Sequence, residues 1–294
     1  MVKRSFIVGS EWLYYKVYTG AKSADTLLTS ILLPHVRTFN KEQQLITKWF
    51  FIRYADPKHH LRIRFMVPNK VSQGTIIHEL FEALQPYAQK DIVWKVQLDT
   101  YHRELERYGT NTMELSESLF CIDSEAIVKF LDLIEGEEGE QLRWLYGLRA
   151  VDNLLNAFEF PLQEKLLLLE GLKTGFGHEF GMSRPLKKQL DDKFRKEREA
   201  ITHFITFATH EDYRPILDIL NEQFNSLRPL AQKLKELECK KQLQVTKQGL
   251  FSSYIHMLMN RLFKSKNRLN EMVCYDFLYR YYKSTLARSK KVIG

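Results

Sequence analysis

The chain has 294 residues, 44% hydrophobic and 13% aromatic, which is enough apolar material for a large core in one or two globular domains. No stretch approaches the roughly 18 consecutive apolar residues of a membrane-spanning helix, and the start MVKRSFIVGSEW lacks the apolar run and cleavage site of a signal peptide, so a cytoplasmic location with no membrane span is expected. The formal charge of +8 is uneven: from Arg228 onward 15 Lys and Arg face 4 Asp and Glu, so this part either attracts an acidic peptide, RNA or another subunit, or is a solvated helical surface with a loose basic tail at Ser289-Lys290-Lys291.

Cys121, Cys239 and Cys274 have no paired spacing, which argues against a disulfide framework and a thiolate zinc site and leaves them as buried free thiols. In chain order, Glu11 to Tyr18 alternates like a strand and Ala24 to Phe39 has helical period. Trp49 to Ala55 and His60 to Val67 are strand-like runs on either side of Asp56-Pro57-Lys58-His59, a turn sequence, and predict a hairpin. Thr75 to Leu84 is again helical, and Ile92, Trp94, Val96 and Leu98 alternate as a last strand. The order β-α-β-β-α-β predicts an α+β fold that opens with a ferredoxin-like antiparallel sheet.

From about Asn111 the period is helical: Glu114 to Glu135, Glu138 to Ala157, Pro161 to Gly175, Leu186 to Thr209, Tyr213 to Lys241, Gln248 to Phe263 and Leu269 to Arg288. The expected organisation is a sheet region over residues 1–110 that carries an arginine hairpin, and a helical region over 111–294 that packs on it to give one domain overall. There is no internal repeat and no low-complexity linker.

Three constellations can carry chemistry. Residues two apart on a strand share a face at roughly 6 to 7 Å, so Arg62 and Arg64 stand together with Leu61, Ile63 and Phe65 opposite. A turn centred on Pro57 and Lys58 brings Arg53 across from Arg62 and puts three guanidiniums on one face. Such a face either awaits a carboxylate or phosphate, which the planar fork of arginine suits, or is exposed or paired internally with Glu. Glu104 and Arg107 share a face if their segment is helical, as a surface ion pair or as part of a site placed just after the last strand. His256, in an apolar helix with Asn260 one turn on, reads as a satisfied core histidine or as a general base. Asp56, His59 and His60 lack metal-ligand spacing, and Gly171, Gly175 and Gly177 lack that of a phosphate-binding loop, so neither a metal nor a cofactor is expected.

Taken together, Gly9 to Tyr14 (GSEWLY), Trp49 to Phe65 (WFFIRYADPKHHLRIRF), Thr100 to Gly109 (TYHRELERYG) and Ser252 to Phe263 (SSYIHMLMNRLF) resemble the C-terminal elimination domain of lantibiotic dehydratases, also called the thiopeptide-type bacteriocin biosynthesis domain. The likeness runs in order from about Arg4 to Ser284 and includes Leu115 to Ser124 (LSESLFCIDS) and Tyr275 to Ser284. The resemblance implies a lyase that expels glutamate from glutamylated Ser or Thr of a precursor peptide, leaving dehydroalanine or dehydrobutyrine. It also implies a separate glutamyl-tRNA-dependent glutamylating protein as partner, and a lanthionine cyclase as a further one. The family's elimination residues carry over as Arg62 and Arg64, Glu104 and Arg107, and His256, with Arg53 as an auxiliary from the register argument alone. One departure is Thr110, where members often have a second glycine.

Two other readings stand beside this one. Some relatives of the domain build the six-membered nitrogen ring of thiopeptides from two dehydroalanines, and a noncatalytic module could use the basic patch to recruit a tRNA or an acidic leader peptide.

Overall fold

The computed structural model describes residues 2–181, 183–206 and 211–293, with only the backbone at 178, 180 and 290–293. Six strands form: β1 Ser5–Phe6, β2 Trp12–Thr19, β3 Lys48–Tyr54, β4 His60–Met66, β5 Val93–Leu98 and β6 Tyr101–His102. β2 to β5 make a four-stranded sheet in the order β3-β4-β2-β5 with every pair antiparallel, and β1 pairs with β6. Counting only the four long strands, the order is 2-3-1-4, so the chain folds as the ferredoxin-like arrangement within an α+β fold.

Two helical segments cross one face of this sheet. The first covers residues 21–42, with α1 Ala21–Thr26 and α2 Leu33–Arg37 alternating with wider π-type turns at Leu27–Leu32 and Thr38–Glu42. The second is α3, Gln73–Gln89, which continues through Pro86. Period-2 burial explains the packing: Tyr15, Val17, Leu61 and Ile63 point to the helices and meet Leu27, Leu32, Leu80 and Leu84. In β5 the expected apolar alternation is offset. A register shift beside Tyr18 and Thr19 sets Val93 opposite Thr19, where it is buried, while Trp94 and Val96 are largely exposed.

A short helix α4, Leu105–Tyr108, follows the last strand, and the helices after residue 111 are α5 Met113–Leu131, α6 Gly136–Ala157, α7 Leu162–Phe180, α8 Arg184–Thr206, α9 Arg214–Cys239, α10 Lys247–Leu262 and α11 Asn267–Ile293. These are the helices that the period predicts, within a few residues at each end; the last residues of the Leu186 to Thr209 expectation lie outside the described ones. Ser289-Lys290-Lys291 belongs to α11, and the two lysine side chains lie outside the described ones. Cys274 is buried, whereas Cys121 is partly exposed and Cys239, at the end of α9, is exposed, so burial holds for one thiol of three.

The chain divides into two compact units, Met1–Leu133 with Lys233–Ser265, and Ile134–Gln232 with Lys266–Gly294. This division and the change of period near residue 111 are different boundaries, because α5 and α10 are helical yet belong with the sheet. In the second unit Asp152 is a buried hub: it accepts from Lys165 at 2.9 Å, Tyr282 at 2.5 Å and Asn156 at 2.8 Å. In the first unit the equivalent is Glu117 of α5, 1% exposed. It accepts two hydrogen bonds of 2.7 Å from Arg103 and one of 3.0 Å from Tyr101, and so fastens β6 to α5.

Breaking a buried ion pair leaves the surviving charge uncompensated. Arg103→Met is expected to destabilise the first unit by about 3–5 kcal/mol, read as a lower urea midpoint followed by the fluorescence of Trp12 and Trp49.

Candidate active site

The site is built on the sheet face that the helices 21–42 and α3 leave uncovered. On β4, His60, Arg62 and Arg64 point to this face by strand period, with Ile52 and Phe50 of β3 and Lys16 and Tyr14 of β2 opposite Arg62 and Arg64 respectively. Arg64 is 8% exposed, and its guanidinium carbon lies 4.3 Å from the ring of Tyr14, 4.8 Å from that of Tyr101 and 5.2 Å from that of Phe50. Trp12 backs this cage edge-on against Phe50 and Tyr101. Among the described residues nothing accepts a hydrogen bond from the Arg64 side chain or forms an ion pair with it. Burial pulls its pKa below the ordinary arginine value, and Glu104 acts weakly in the other direction. Aromatic faces attract a cation but do not satisfy its N–H donors.

Arg62 is half-buried. Its Nε donates to His60 Nε2 at 3.1 Å, and its guanidinium lies 3.5 Å from the ring centre of Tyr54. The terminal nitrogens of Arg62 take no acceptor among the described residues.

Arg53 lies elsewhere. The register pairs Tyr54 with His60 and Arg53 with Leu61, so Arg53 faces the helices and not Arg62. The hairpin loop has five residues, Ala55 to His59, and its centre falls on Pro57; a centre between Pro57 and Lys58 misplaces the register by one, and one residue reverses every side chain. Arg53 is 2% exposed and donates to Asp25 Oδ1 at 2.6 Å and to the Arg261 carbonyl at 2.8 Å, which makes it an internal strut.

Glu104 and Arg107 sit at the short helix α4, with Arg107 Nη1 3.0 Å from Glu104 Oε2. Both are well exposed, so the pair itself contributes little to stability. The turn after α4 requires a glycine: Gly109 has φ +74°, and a Cβ there would meet Thr112 Oγ1 at 3.0 Å. At Thr110, both the backbone N–H and the hydroxyl donate to Gln244 Oε1, so the residue that departs from the family pattern adds a bond that glycine cannot make.

Tyr108, buried, stacks on Tyr254 of α10 with the rings 10° apart, and burial pushes its phenol up to about 12. Tyr254 in turn bonds Ser116 of α5 at 2.8 Å. His256 follows on α10, half-buried, two residues after Tyr254 and one turn before Asn260. The Asn260 amide accepts from Arg53 N–H at 2.9 Å and donates to Arg53 C=O at 3.0 Å, so the stretch of α10 carrying His256 is pinned on both sides.

The five residues Arg62, Arg64, Glu104, Arg107 and His256 therefore come from β4, α4 and α10 of the first compact unit. Sequence reasoning missed the cage of Tyr14, Phe50 and Tyr101, Tyr54 beside Arg62, and the fully buried Arg261, whose pKa burial lowers to about 10. It also treated His60 only as a failed metal ligand. Aromatic residues at alternate positions of β2 were a signal for the cage, but only the register joins them to Arg64.

The family model described as "Lantibiotic biosynthesis dehydratase C-term" matches residues 12–282. The chain belongs to this lantibiotic dehydratase C-terminal family. It is 27% identical over 190 residues to the subtilin biosynthesis protein SpaB of Bacillus subtilis, covering 64% of this chain and 17% of that protein. The fold is similar to that of the tRNA-dependent lantibiotic dehydratase MibB from Microbispora sp. 107891, at a TM-score of 0.75 and 22% identity, over 96% of this chain and 29% of that one. A second similar fold is that of TbtD, a pyridine synthase from thiomuracin biosynthesis, at a TM-score of 0.62 and 14% identity, over 93% of this chain and 99% of that one. The chain thus spans less than a third of the length of SpaB and of MibB. No described helix is long and apolar enough to cross a membrane.

Two outcomes test the electrostatics of this candidate site. A nearly buried guanidinium with no counter-ion does not stabilise the fold, so Arg64→Met is expected to leave the melting temperature unchanged or raised. His59 and His60 are both held neutral by burial, below the ordinary 6.5. The unfolded chain then binds protons that the folded hairpin refuses, so stability is full above that value and is lost as the pH falls through it. Thermal melts between pH 7.5 and 5.5 should show this loss, with a shallower slope for His60→Gln.

Proposed function

We propose that this chain eliminates glutamate from glutamylated Ser or Thr residues of a ribosomal precursor peptide, giving dehydroalanine or dehydrobutyrine, in lanthipeptide or thiopeptide biosynthesis. The observation that carries the proposal is Arg64, a nearly buried guanidinium whose donors meet no carboxylate among the described residues, beside Arg62, whose terminal nitrogens take no acceptor among them. Cations placed so await an anionic ligand, and a glutamyl ester brings carboxylates.

The chemistry needs such a group. Hydroxide is a poor leaving group, since water has a pKa of about 15.7, whereas a departing α-carboxylate of glutamate has one of about 3.5. A base takes the α-proton of the esterified residue, the Cα–Cβ double bond forms, and the Cβ–O bond breaks to release glutamate. In this reading His256 is the acid/base group. Arg107, oriented by Glu104, binds the departing carboxylate or the charge developing in the enolate, and Arg62 with Arg64 anchors the anionic end of glutamate. Membership of the dehydratase C-terminal family supports the assignment.

A second reading, formation of a pyridine ring, is favoured by the likeness to TbtD along nearly its whole length. The joint presence of Arg62, Arg64, Glu104, Arg107 and His256 favours elimination.

Mass spectrometry of a glutamylated serine peptide incubated with the purified protein decides between them. Loss of glutamate with formation of dehydroalanine is expected; loss that restores serine means hydrolysis and sinks the mechanism. An untouched adduct together with consumption of a peptide bearing two dehydroalanines favours the second reading. His256→Ala should slow single-turnover elimination by about 100-fold or more, and an effect within about threefold removes its acid/base role.

A further inference from the structure

The family's elimination residues do not include His60, yet its side chain is hydrogen-bonded directly to one of them, Arg62. The ring is 1% exposed. It lies parallel to Tyr18 of β2 at 4.6 Å between centres, and at 5.5 Å from Tyr54 of β3. Nδ1 is 2.8 Å from the Lys58 carbonyl, which can only accept, so Nδ1 carries the proton. Nε2 therefore keeps a lone pair, and it receives the Nε–H of Arg62 at 3.1 Å. Backbone, imidazole and guanidinium form one chain of hydrogen bonds running one way.

The consequence for Arg62 is geometric. A guanidinium offers donors along its Nε edge and between its two terminal nitrogens. His60 occupies the Nε position and Tyr54 covers one face of the plane, so the fork of terminal nitrogens is what remains for an anion. A ring clamped by two tyrosines and a carbonyl cannot turn, and a long arginine hydrogen-bonded to it loses most of its rotamer freedom before any ligand arrives. That ordering is then not charged against binding.

We propose that His60 is the positioning residue for Arg62, its neutral ring holding Nε so that the two terminal nitrogens stand ready to clamp a carboxylate of the substrate. The inference rests on the reading above, in which Arg62 anchors glutamate. His60 touches neither substrate nor reacting atoms; it acts through Arg62 alone.

A double-mutant cycle on the full chain tests this, with elimination kinetics on the glutamylated serine peptide and calorimetric binding of glutarate as readouts. His60→Phe keeps a flat ring on Tyr18 but has no acceptor, and it should raise KM and weaken glutarate binding by about tenfold, the scale of one hydrogen bond to a charged group, with kcat within about twofold. His60→Gln, which returns an acceptor to the place of Nε2, should stay within about threefold of wild type. In Arg62→Ala the His60→Phe change should have no further effect, because two residues acting as a unit are not additive. Should His60→Phe fail to fold, the same comparison is made with Arg62→Lys, which has no Nε–H of this geometry and in which His60→Gln should change nothing. Wild-type affinity in His60→Phe, a kcat effect without a KM effect, or effects of His60→Phe and Arg62→Ala that multiply in the double variant overturn the proposal while the function stands. A wild-type protein that neither forms dehydroalanine nor binds glutarate overturns the functional reading, and this inference with it.

Discussion

Positive charge without a counter-charge on one sheet face is the constraint around which the first compact unit is arranged. Nearby cations are matched to carboxylates: Arg103 to Glu117, Arg53 to Asp25, Arg107 to Glu104 and Lys16 to Asp99. Among the described residues Arg62 and Arg64 of that face are not, and Arg64 is only 8% exposed. The aromatic cage makes such a placement tolerable, because the negative faces of Tyr14, Tyr101 and Phe50 offset part of the lost hydration while leaving the N–H donors unmatched.

The surrounding elements follow from that need. Tyr101 can stand in the cage because β6 is tied down by the Arg103–Glu117 pair, which also takes the Tyr101 hydroxyl. Glu104, close enough for its charge to act on Arg64, bonds Arg107 instead. Tyr108, stacked on Tyr254, links the turn bearing Glu104 and Arg107 to the helix that bears His256. A site assembled from a strand, a short helical turn and a long helix keeps its groups in place only if those three are joined by packing, and the stacked tyrosines and the Asn260 amide supply that joint.

What could be read from the sequence was whatever depends on local period. Arg62 and Arg64 share a face because strand period is two, and Glu104 meets Arg107 because the segment turns out helical at α4, the condition on which their shared face depends. The strand order followed from the element order. The position of Arg53 did not, because register depends on loop length to the residue, and a five-residue loop with a cis bond between Asp56 and Pro57 differs by one from a four-residue turn. The cage and His60 were hidden for a related reason: each joins residues from three strands, and only the fold sets their register. The burial of Val93 in place of Ile92 and Trp94 came from a register shift in β5 that no composition signals.

The Asn260 amide has a further consequence, for how the protein behaves at high concentration. β3 is an outer strand, and an outer strand presents unpaired peptide groups on which another chain can grow. Here the Phe51 N–H is taken by Ser124, and both peptide groups of Arg53 by Asn260, which imitates with one side chain the pair of bonds a neighbouring strand would make. Those positions are closed to recruitment. On the opposite edge, β5 carries Lys95 between two exposed apolar residues, and a charge in mid-strand discourages edge-to-edge pairing. In a sheet this rich in tyrosine, tryptophan and phenylalanine, capping the peptide groups of an outer strand removes places where a second sheet could add to the ladder.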